Sequence, residues 1–381
     1  MRLLPVMSAL AITALLAAAC GNSIYSGVGS SPAATTTSTP GTGKFLYAGN
    51  HSAGTISEYQ RSSSNGALTS IGSAASGVKK GPVGITTNPN GKFLYVANPG
   101  DGLHQFAINQ SSGALTSLTG NDGLVAAGDA PQWVAISSGG SGTFAYAPNF
   151  NDGSVSQYVV ASDGKLQSNG VAASGLLKNP FGAVATSSFL YVSDHGNGTI
   201  VSFPINSDGT LATSTASAVD SSSQAARTPV VVILTPDGKF LYASDNTTGF
   251  VSVFPAGGSA LSSLIQSVQS AASGAVGLAL ASMSNGNEFL YVANQKANSI
   301  SRYAVNSSTG ILTAAGVVTG SLAFPTGLVV GITGSASFLY VANQTGRSIV
   351  KYTINAVNGA LSNPASVATG SAPQFLAIPA G

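Results

Sequence analysis

The sequence predicts an all-β protein, a seven-bladed β-propeller with four antiparallel strands in each blade. Three observations predict it. One string recurs seven times, the same further strand patterns accompany each copy, and the two chain ends supply complementary parts of one blade. The string places Phe at positions 45, 93, 144, 189, 240, 289 and 338, in steps of 45 to 51 residues. Propeller blades of four strands repeat about every 40 to 50 residues.

Each repeat contains four strand patterns. The recurring string, KFLYVAN at 92–98 for example, is apolar on both faces, which suits a strand buried on both sides. A second strand follows, as in GLHQFAI at 102–108, and a third begins with a turn Gly and a Leu, as in SGALTS at 112–117. A further apolar strand, such as PQWVAI at 131–136, precedes the next copy of the string. No segment has helical periodicity, so every element is expected to be a strand.

The chain ends predict how the ring closes. The first string, at residue 45, has no apolar strand before it. The last residues, APQFLAI at 372–378, form an extra copy of that missing strand. We therefore expect the C-terminal strand to pair with the N-terminal blade, because an unpaired inner strand would leave an exposed edge.

The N-terminal sequence predicts where in the cell the protein is located. Residues 1–19 have the layout of a lipoprotein signal peptide, in which small residues precede Cys20, the only cysteine. An ordinary signal peptide with an incidental cysteine is the alternative. Residues 20–43 are uncharged and rich in Ser, Thr, Gly and Pro, which is typical of a tether. We expect a propeller over 44–381, held in the cell envelope, at the outer membrane or cell surface, by a lipid on Cys20.

Composition excludes several classes of function. Charged residues make up 7% of the chain and the formal net charge is +2, so nothing predicts a nucleic-acid partner. Hydrophobic residues make up 44%, which argues against a disordered chain. Three His and one Cys leave no cluster for a zinc or iron–sulfur site. We expect no metal and no cofactor.

Residues that break the repeat are the candidates for function, because a residue shared by every blade is explained by structure. The Asx that ends each string is expected to bond the turn after it. The loops after the string and the loops entering the innermost strands share one face around the channel. The candidates on that face are His51, Lys79, Lys80, Trp133, Lys178, Asp194, His195 and Arg227. A solvated charge is the alternative for each loop residue; for Trp133 the choice lies between core packing and a stacking platform for a sugar ring.

The segment KFLYVANPGDGLHQFAINQSSGALTSL at 92–118 resembles a blade of the bacterial lactonase family of seven-bladed propellers. That family includes 6-phosphogluconolactonase-like and carboxymuconate-lactonising enzymes, and the YVAN core is similar to the YVTN repeats of surface-layer propellers. The resemblance covers about residues 44–379 and implies a propeller that opens lactones. Active members tend to carry Pro-Arg-His at some innermost strands and Glu after the Asn of the string. Here no such Pro step contains Arg or His, and no Glu follows the Asx.

Two functions follow as hypotheses, with a third behind them. The first is a lipid-anchored propeller that binds a small molecule or an envelope carbohydrate on its channel face. The second is a lactone hydrolase in which His195 is the general base and Arg227 or Lys178 stabilises the oxyanion. The third is a structural envelope protein. We favour binding, because the residue types of active family members are missing from the matching positions. The substrate and the oligomeric state are left open.

Overall fold

The computed structural model describes residues 40–74, 81–120, 123–224, 226–270 and 273–381. The first strands in chain order are β1 (Phe45–Asn50), β2 (Thr55–Arg61), β3 (Leu68–Ala74), β4 (Ile85–Thr87), β5 (Phe93–Asn98), β6 (Gly102–Ile108), β7 (Leu115–Ser117), β8 (Leu124–Val125), β9 (Ala135–Gly139), β10 (Gly142–Asn149), β11 (Ser154–Val160), β12 (Leu166–Ala172), β13 (Pro180–Ala185), β14 (Phe189–Asp194) and β15 (Thr199–Pro204). The remaining strands are β16 (Ser217–Asp220), β17 (Pro229–Leu234), β18 (Phe240–Asp245), β19 (Phe250–Pro255), β20 (Gln266–Gln269), β21 (Ala275–Ser282), β22 (Glu288–Asn294), β23 (Ser299–Val305), β24 (Leu312–Thr319), β25 (Pro325–Thr333), β26 (Ala336–Asn343), β27 (Ser348–Ile354), β28 (Leu361–Ala368) and β29 (Pro373–Ala377).

These strands form seven antiparallel sheets, one for each predicted blade. The recurring string is the second strand of every sheet, and the apolar strand before it is the innermost one. Blade 1 has the order β29-β1-β2-β3, so the C-terminal strand completes the N-terminal blade as predicted. In blade 2 the outer edge is divided, since β7 and the short β8 both pair with β6. The seven-bladed propeller is therefore confirmed.

The blades follow one another around a ring, and the Tyr of each string joins each blade to the next. Its hydroxyl donates to a turn carbonyl of the following blade at 2.7–3.0 Å in all seven blades. In the last of these bonds, the Tyr340 hydroxyl of blade 7 donates to the Gly66 carbonyl of blade 1. The Tyr of the string therefore links neighbouring blades, and the same bond closes the ring.

The chain enters the propeller beside the closing strand. The amide of Gly41 donates to the Val330 carbonyl at 3.0 Å, and Gly43 donates to the Pro379 carbonyl at 3.0 Å. The guanidinium of Arg61, 5% exposed, donates to the Gly43 carbonyl, the Ile332 carbonyl and the Tyr340 hydroxyl. Gly43 lies just before the second strand β1, Arg61 ends the third strand β2, and Ile332 lies near the end of the innermost strand β25. These strand ends share one face, so the chain enters on the face opposite the loops that follow the Asx.

Helices contribute almost nothing to the part of the chain that is described. A 3-10 turn at Thr213–Thr215 carries no buried residue. No helix among the described residues is long and apolar enough to cross a membrane.

Candidate functional site

A backbone hydrogen bond between two loops recurs at the mouth of the channel. We call "mouth residues" the seven that directly follow the Asx: His51, Pro99, Phe150, His195, Asn246, Gln295 and Gln344. In five blades the mouth residue's N–H donates, at 2.8–3.2 Å, to a carbonyl of the segment that enters the innermost strand of the same blade. In blade 1, for example, His51 donates to the Ala372 carbonyl. Each of these mouth residues therefore lies beside the start of an innermost strand, where the channel opens.

The Asx residues hold these loops together from inside. Asp194 is fully buried; its carboxylate accepts from the Lys178 amide at 2.8 Å and from the Asn197 side chain at 2.7 Å. Burial raises the pKa of Asp194 and outweighs these hydrogen bonds, which lower it. In blade 5 the Asp245 carboxylate accepts from the Thr228 and Thr248 amides in the same manner. Asp194 thus repeats a structural role that another blade also has.

His195 is the half-buried mouth residue of blade 4. Its ring lies 6.1 Å from the Phe150 ring of blade 3, centroid to centroid, in a tilted arrangement. Burial lowers the pKa of His195, and the negative charge of Asp245 partly opposes that shift. The imidazole is therefore neutral at pH 7, the form that accepts a proton.

Lys178 and Arg227 pack against the loop that carries His195. A Cβ on Gly196 would lie 2.6 Å from the Lys178 Cγ, and one on Gly198 would lie 2.8 Å from the Arg227 Cβ. The guanidinium of Arg227, however, pairs with the Asp220 carboxylate at 2.9 Å, at the end of the outermost strand β16. The structure thus gathers the three predicted residues along one loop but directs the Arg227 charge toward the rim of the blade. Lys178 is exposed.

Trp133 lies inside the channel. It is 3% exposed, and its ring meets the Phe375 ring edge to face with the centroids 6.0 Å apart. The two residues belong to blades 3 and 1, and Gly84 of blade 2 leaves room between them: a Cβ there would lie 2.7 Å from the Trp133 Cα. The rings therefore fill the channel below the mouth. This packing favours core packing over a stacking platform for Trp133.

Of the other predicted residues, the structure describes His51 but not Lys79, Lys80 or Cys20. His51 is half-buried at the mouth of blade 1; burial lowers its pKa more than the backbone at Gly81 and Pro82 raises it. Blade 4 is three blades away from it along the ring. Lys79, Lys80 and Cys20, with the signal peptide and most of the tether, lie outside the described residues.

Three amide side chains that the sequence reasoning did not choose lie at the mouth. They are Gln132 and Gln374, each following the Pro of an innermost strand, and the mouth residue Asn246. These side chains are 4%, 0% and 8% exposed, and each has a buried oxygen with no hydrogen-bond partner. The Gln374 side-chain nitrogen has none either. Buried polar atoms in proteins are nearly always paired, so these atoms mark a place where a ligand can bond. Their signal in the sequence was a polar amide directly after a recurring Pro or Asx.

Metal chemistry finds no support in the described ranges. Between residues 40 and 381, leaving out 75–80, 121–122, 225 and 271–272, no three His, Cys, Asp or Glu side chains come close enough to hold an ion.

Comparison with known proteins agrees with the fold. The family model described as "Lactonase, 7-bladed beta-propeller" matches residues 28–123, 99–275 and 260–378. The chain belongs to the lactonase family of seven-bladed β-propellers. No protein of curated function matches it significantly.

Several solved structures share the fold of this lactonase-family chain. It is similar to a periplasmic gluconolactonase from Pseudomonas aeruginosa, with 22% identity, a TM-score of 0.72 and coverage of 88% of this chain and 99% of that one. It is also similar to a protein described as a putative 6-phosphogluconolactonase from Bacteroides fragilis, with 20% identity, a TM-score of 0.70 and coverage of 87% and 96%. At such identities the likeness concerns the fold.

Proposed function

We propose that this lactonase-family propeller binds a small, uncharged sugar or sugar lactone at its channel mouth. The observation that carries the proposal is the set of unpaired amide atoms on Gln132, Gln374 and Asn246. Unpaired amide oxygens require donors, and the hydroxyls of a sugar ring are donors that also accept from an amide nitrogen. The amides carry no charge, so they favour a neutral ligand over an anion.

The three amides come from blades 1, 3 and 5, so they surround the mouth rather than line one side of it. Below them the Trp133 and Phe375 rings form an apolar floor. Small-molecule sites commonly combine apolar walls with a few placed polar groups. A ring-shaped polar ligand matches this arrangement, and the gluconolactonase name of one structural neighbour supports a sugar lactone as the class.

We also propose that the protein works outside the cytoplasm, held to a membrane by a lipid on Cys20, with no cofactor and no nucleic-acid partner. The support is the lipoprotein-like N-terminal sequence, together with the entry of the chain on the face opposite the mouth. An anchor on that side leaves the mouth accessible to ligands.

The binding proposal is tested by calorimetric titration with D-gluconolactam, a neutral and hydrolytically stable analogue of gluconolactone. The wild type is expected to bind it saturably, and Asn246→Ala to weaken binding by about tenfold, since a hydrogen bond contributes about 0.5–1.5 kcal/mol. The matched control is Asn206→Ala, an exposed Asn on the opposite face. Absence of saturable binding, or equal losses in both variants, would overturn the proposal.

A second function, hydrolysis of sugar lactones, is favoured by one specific observation. The half-buried His195 holds a neutral imidazole at the mouth, beside the Phe150 ring. A neutral imidazole can take a proton from water as the water attacks a lactone carbonyl. The ligand would then be a substrate bound by the same mouth.

A further inference from the structure

A depression on the channel face lies between blades 7 and 1. Its volume is about 640 Å³, and its lining residues are Ser52, Phe324, Gln344, Thr345, Arg347, Ser371 and Ala372. It touches the mouth only at Gln344. His195, in blade 4, is three blades away from blade 7 along the ring.

The backbone under the depression is held in an uncommon conformation. Phe324 has φ +59°, Arg347 has φ +48° and Ala372 has φ +55°, values that bulky residues rarely adopt. Ala130 in blade 3 and Ala372 in blade 1 occupy the same left-handed position as Phe324, directly before the Pro of an innermost strand. The conformation therefore belongs to the repeat, whereas the aromatic ring is particular to blade 7.

The backbone N–H and the carbonyl of Phe324 are both hydrogen-bonded. Its amide donates to the Asn298 side-chain oxygen at 2.6 Å, and its carbonyl accepts from the Gln344 amide at 3.1 Å. Its ring remains partly exposed in the depression. A fixed, half-exposed aromatic face is a surface on which an apolar ring face can pack with little loss of entropy.

The residues that line this depression include one charged side chain, that of Arg347. Residues 289–381 contain four basic side chains, Lys296, Arg302, Arg347 and Lys351, and no Asp or Glu. Glu58 of blade 1 is 5% exposed, and its carboxylate accepts from the Leu115 amide of blade 2. Arg347 is exposed, and none of the ion pairs found in the described part of the chain includes it. A guanidinium binds carboxylates through two parallel hydrogen bonds. The depression therefore offers a fixed cation beside an aromatic ring and several hydroxyl and amide groups.

We propose that the depression binds an acidic saccharide, with a pyranose ring packed on Phe324 and its carboxylate on Arg347. Ser52, Gln344 and Ser371 supply hydrogen bonds to ring hydroxyls. The site lies beside the mouth, and its ligand differs from the neutral one assigned there, so the two proposals stand independently.

The test uses trigalacturonate and its neutral counterpart galactotriose, titrated into the whole protein at low salt. The wild type is expected to bind trigalacturonate saturably and at least tenfold more tightly than galactotriose, with affinity falling as salt rises. Arg347→Gln is expected to remove that preference. Phe324→Ala is expected to weaken both ligands while the protein stays folded, because Ala130 and Ala372 adopt the same backbone conformation.

Two control variants separate this site from its surroundings. Lys296→Gln removes an exposed cation from the neighbouring blade on the same face and is expected to leave binding unchanged. Asn246→Ala, which weakens gluconolactam at the mouth, is expected to leave trigalacturonate binding unchanged. Equal affinity for the two trisaccharides, no saturable binding, or equal losses in Lys296→Gln and Arg347→Gln would overturn the proposal.

Discussion

Neighbouring residues at the channel mouth have different roles, and their side chains differ in how deeply they are buried. Asp194 is fully buried and bonds the Lys178 amide, whereas His195, one residue later, is half-buried beside a neighbouring blade. Asp194 occupies a position that is Asx in all seven blades, whereas His195 occupies a position at which the residue differs between blades. The variable position, unlike the Asx, can therefore give each blade a different contact with a ligand.

The pH dependence of His195 follows from its burial. If the protein hydrolyses sugar δ-lactones, the rate requires a neutral imidazole. Burial lowers its pKa from the ordinary value of 6.5, so the rate should not yet decline when the pH is lowered to 6.5, and it should fall only when the pH is made more acidic than that. His195→Ala is expected to lower kcat by about a hundred- to ten-thousand-fold. The measurement is the pH profile of gluconolactone opening, corrected for the spontaneous reaction.

His51→Ala is the matched control for this prediction, since it removes the half-buried imidazole of another blade. It should leave kcat within about threefold of the wild type, because His51 lies three blades from His195. An activity that survives His195→Ala would move the chemistry elsewhere.

Part of the residue-scale picture could be predicted from the sequence. The Asx residues were expected to bond the turn after them; Asp245 does so, but Asn149 instead donates to two Ser hydroxyls on the next strand, at 2.9 Å. The sequence alone does not single out Gln132 and Gln374, because burial without a hydrogen-bond partner is a property of the three-dimensional structure. Nor does the sequence show that Arg61, at the end of β2, joins blades 1 and 7 through its guanidinium.

Among the elements, the second strand of each blade was the most predictable. Its apolar string is buried on both faces, and all seven copies were placed correctly. The innermost strands were also predicted from the sequence. The contacts that their side chains make across the channel were not. Trp133 and Phe375 meet because Gly84 carries no side chain, and such a contact between non-adjacent blades has no pattern along the chain. The divided outer edge of blade 2 was likewise not predicted.

The whole molecule has two different faces. The mouth and the depression between blades 7 and 1 lie on one face, whereas Gly41, Gly43 and the C-terminal Gly381 lie together on the other, where the Gly381 amide donates to the Thr42 hydroxyl at 2.9 Å. The seven repeats made the ring predictable. The difference between its two faces depends on the face at which the chain enters.

The anchor is tested at this scale by Cys20→Ser. If Cys20 carries lipid, the wild type should partition into the membrane fraction and the variant should be released, since two or more acyl chains give stable attachment. The measurement combines fractionation with the intact mass of the mature protein, which should begin at Cys20 and include the lipid. The variant should still bind gluconolactam, because the mouth is on the opposite face. A wild type without added lipid mass would refute the anchor.

The central claim is that the channel mouth is where this propeller binds its ligand. A crystal structure of the protein with D-gluconolactam tests it most directly. We predict that the ligand lies above the Trp133 and Phe375 rings, with hydroxyls within about 3 Å of the Gln374 and Asn246 side-chain amides, as expected for hydrogen bonds. A ligand found on the opposite face or between outer strands, with the mouth amides unbonded to it, would contradict the account.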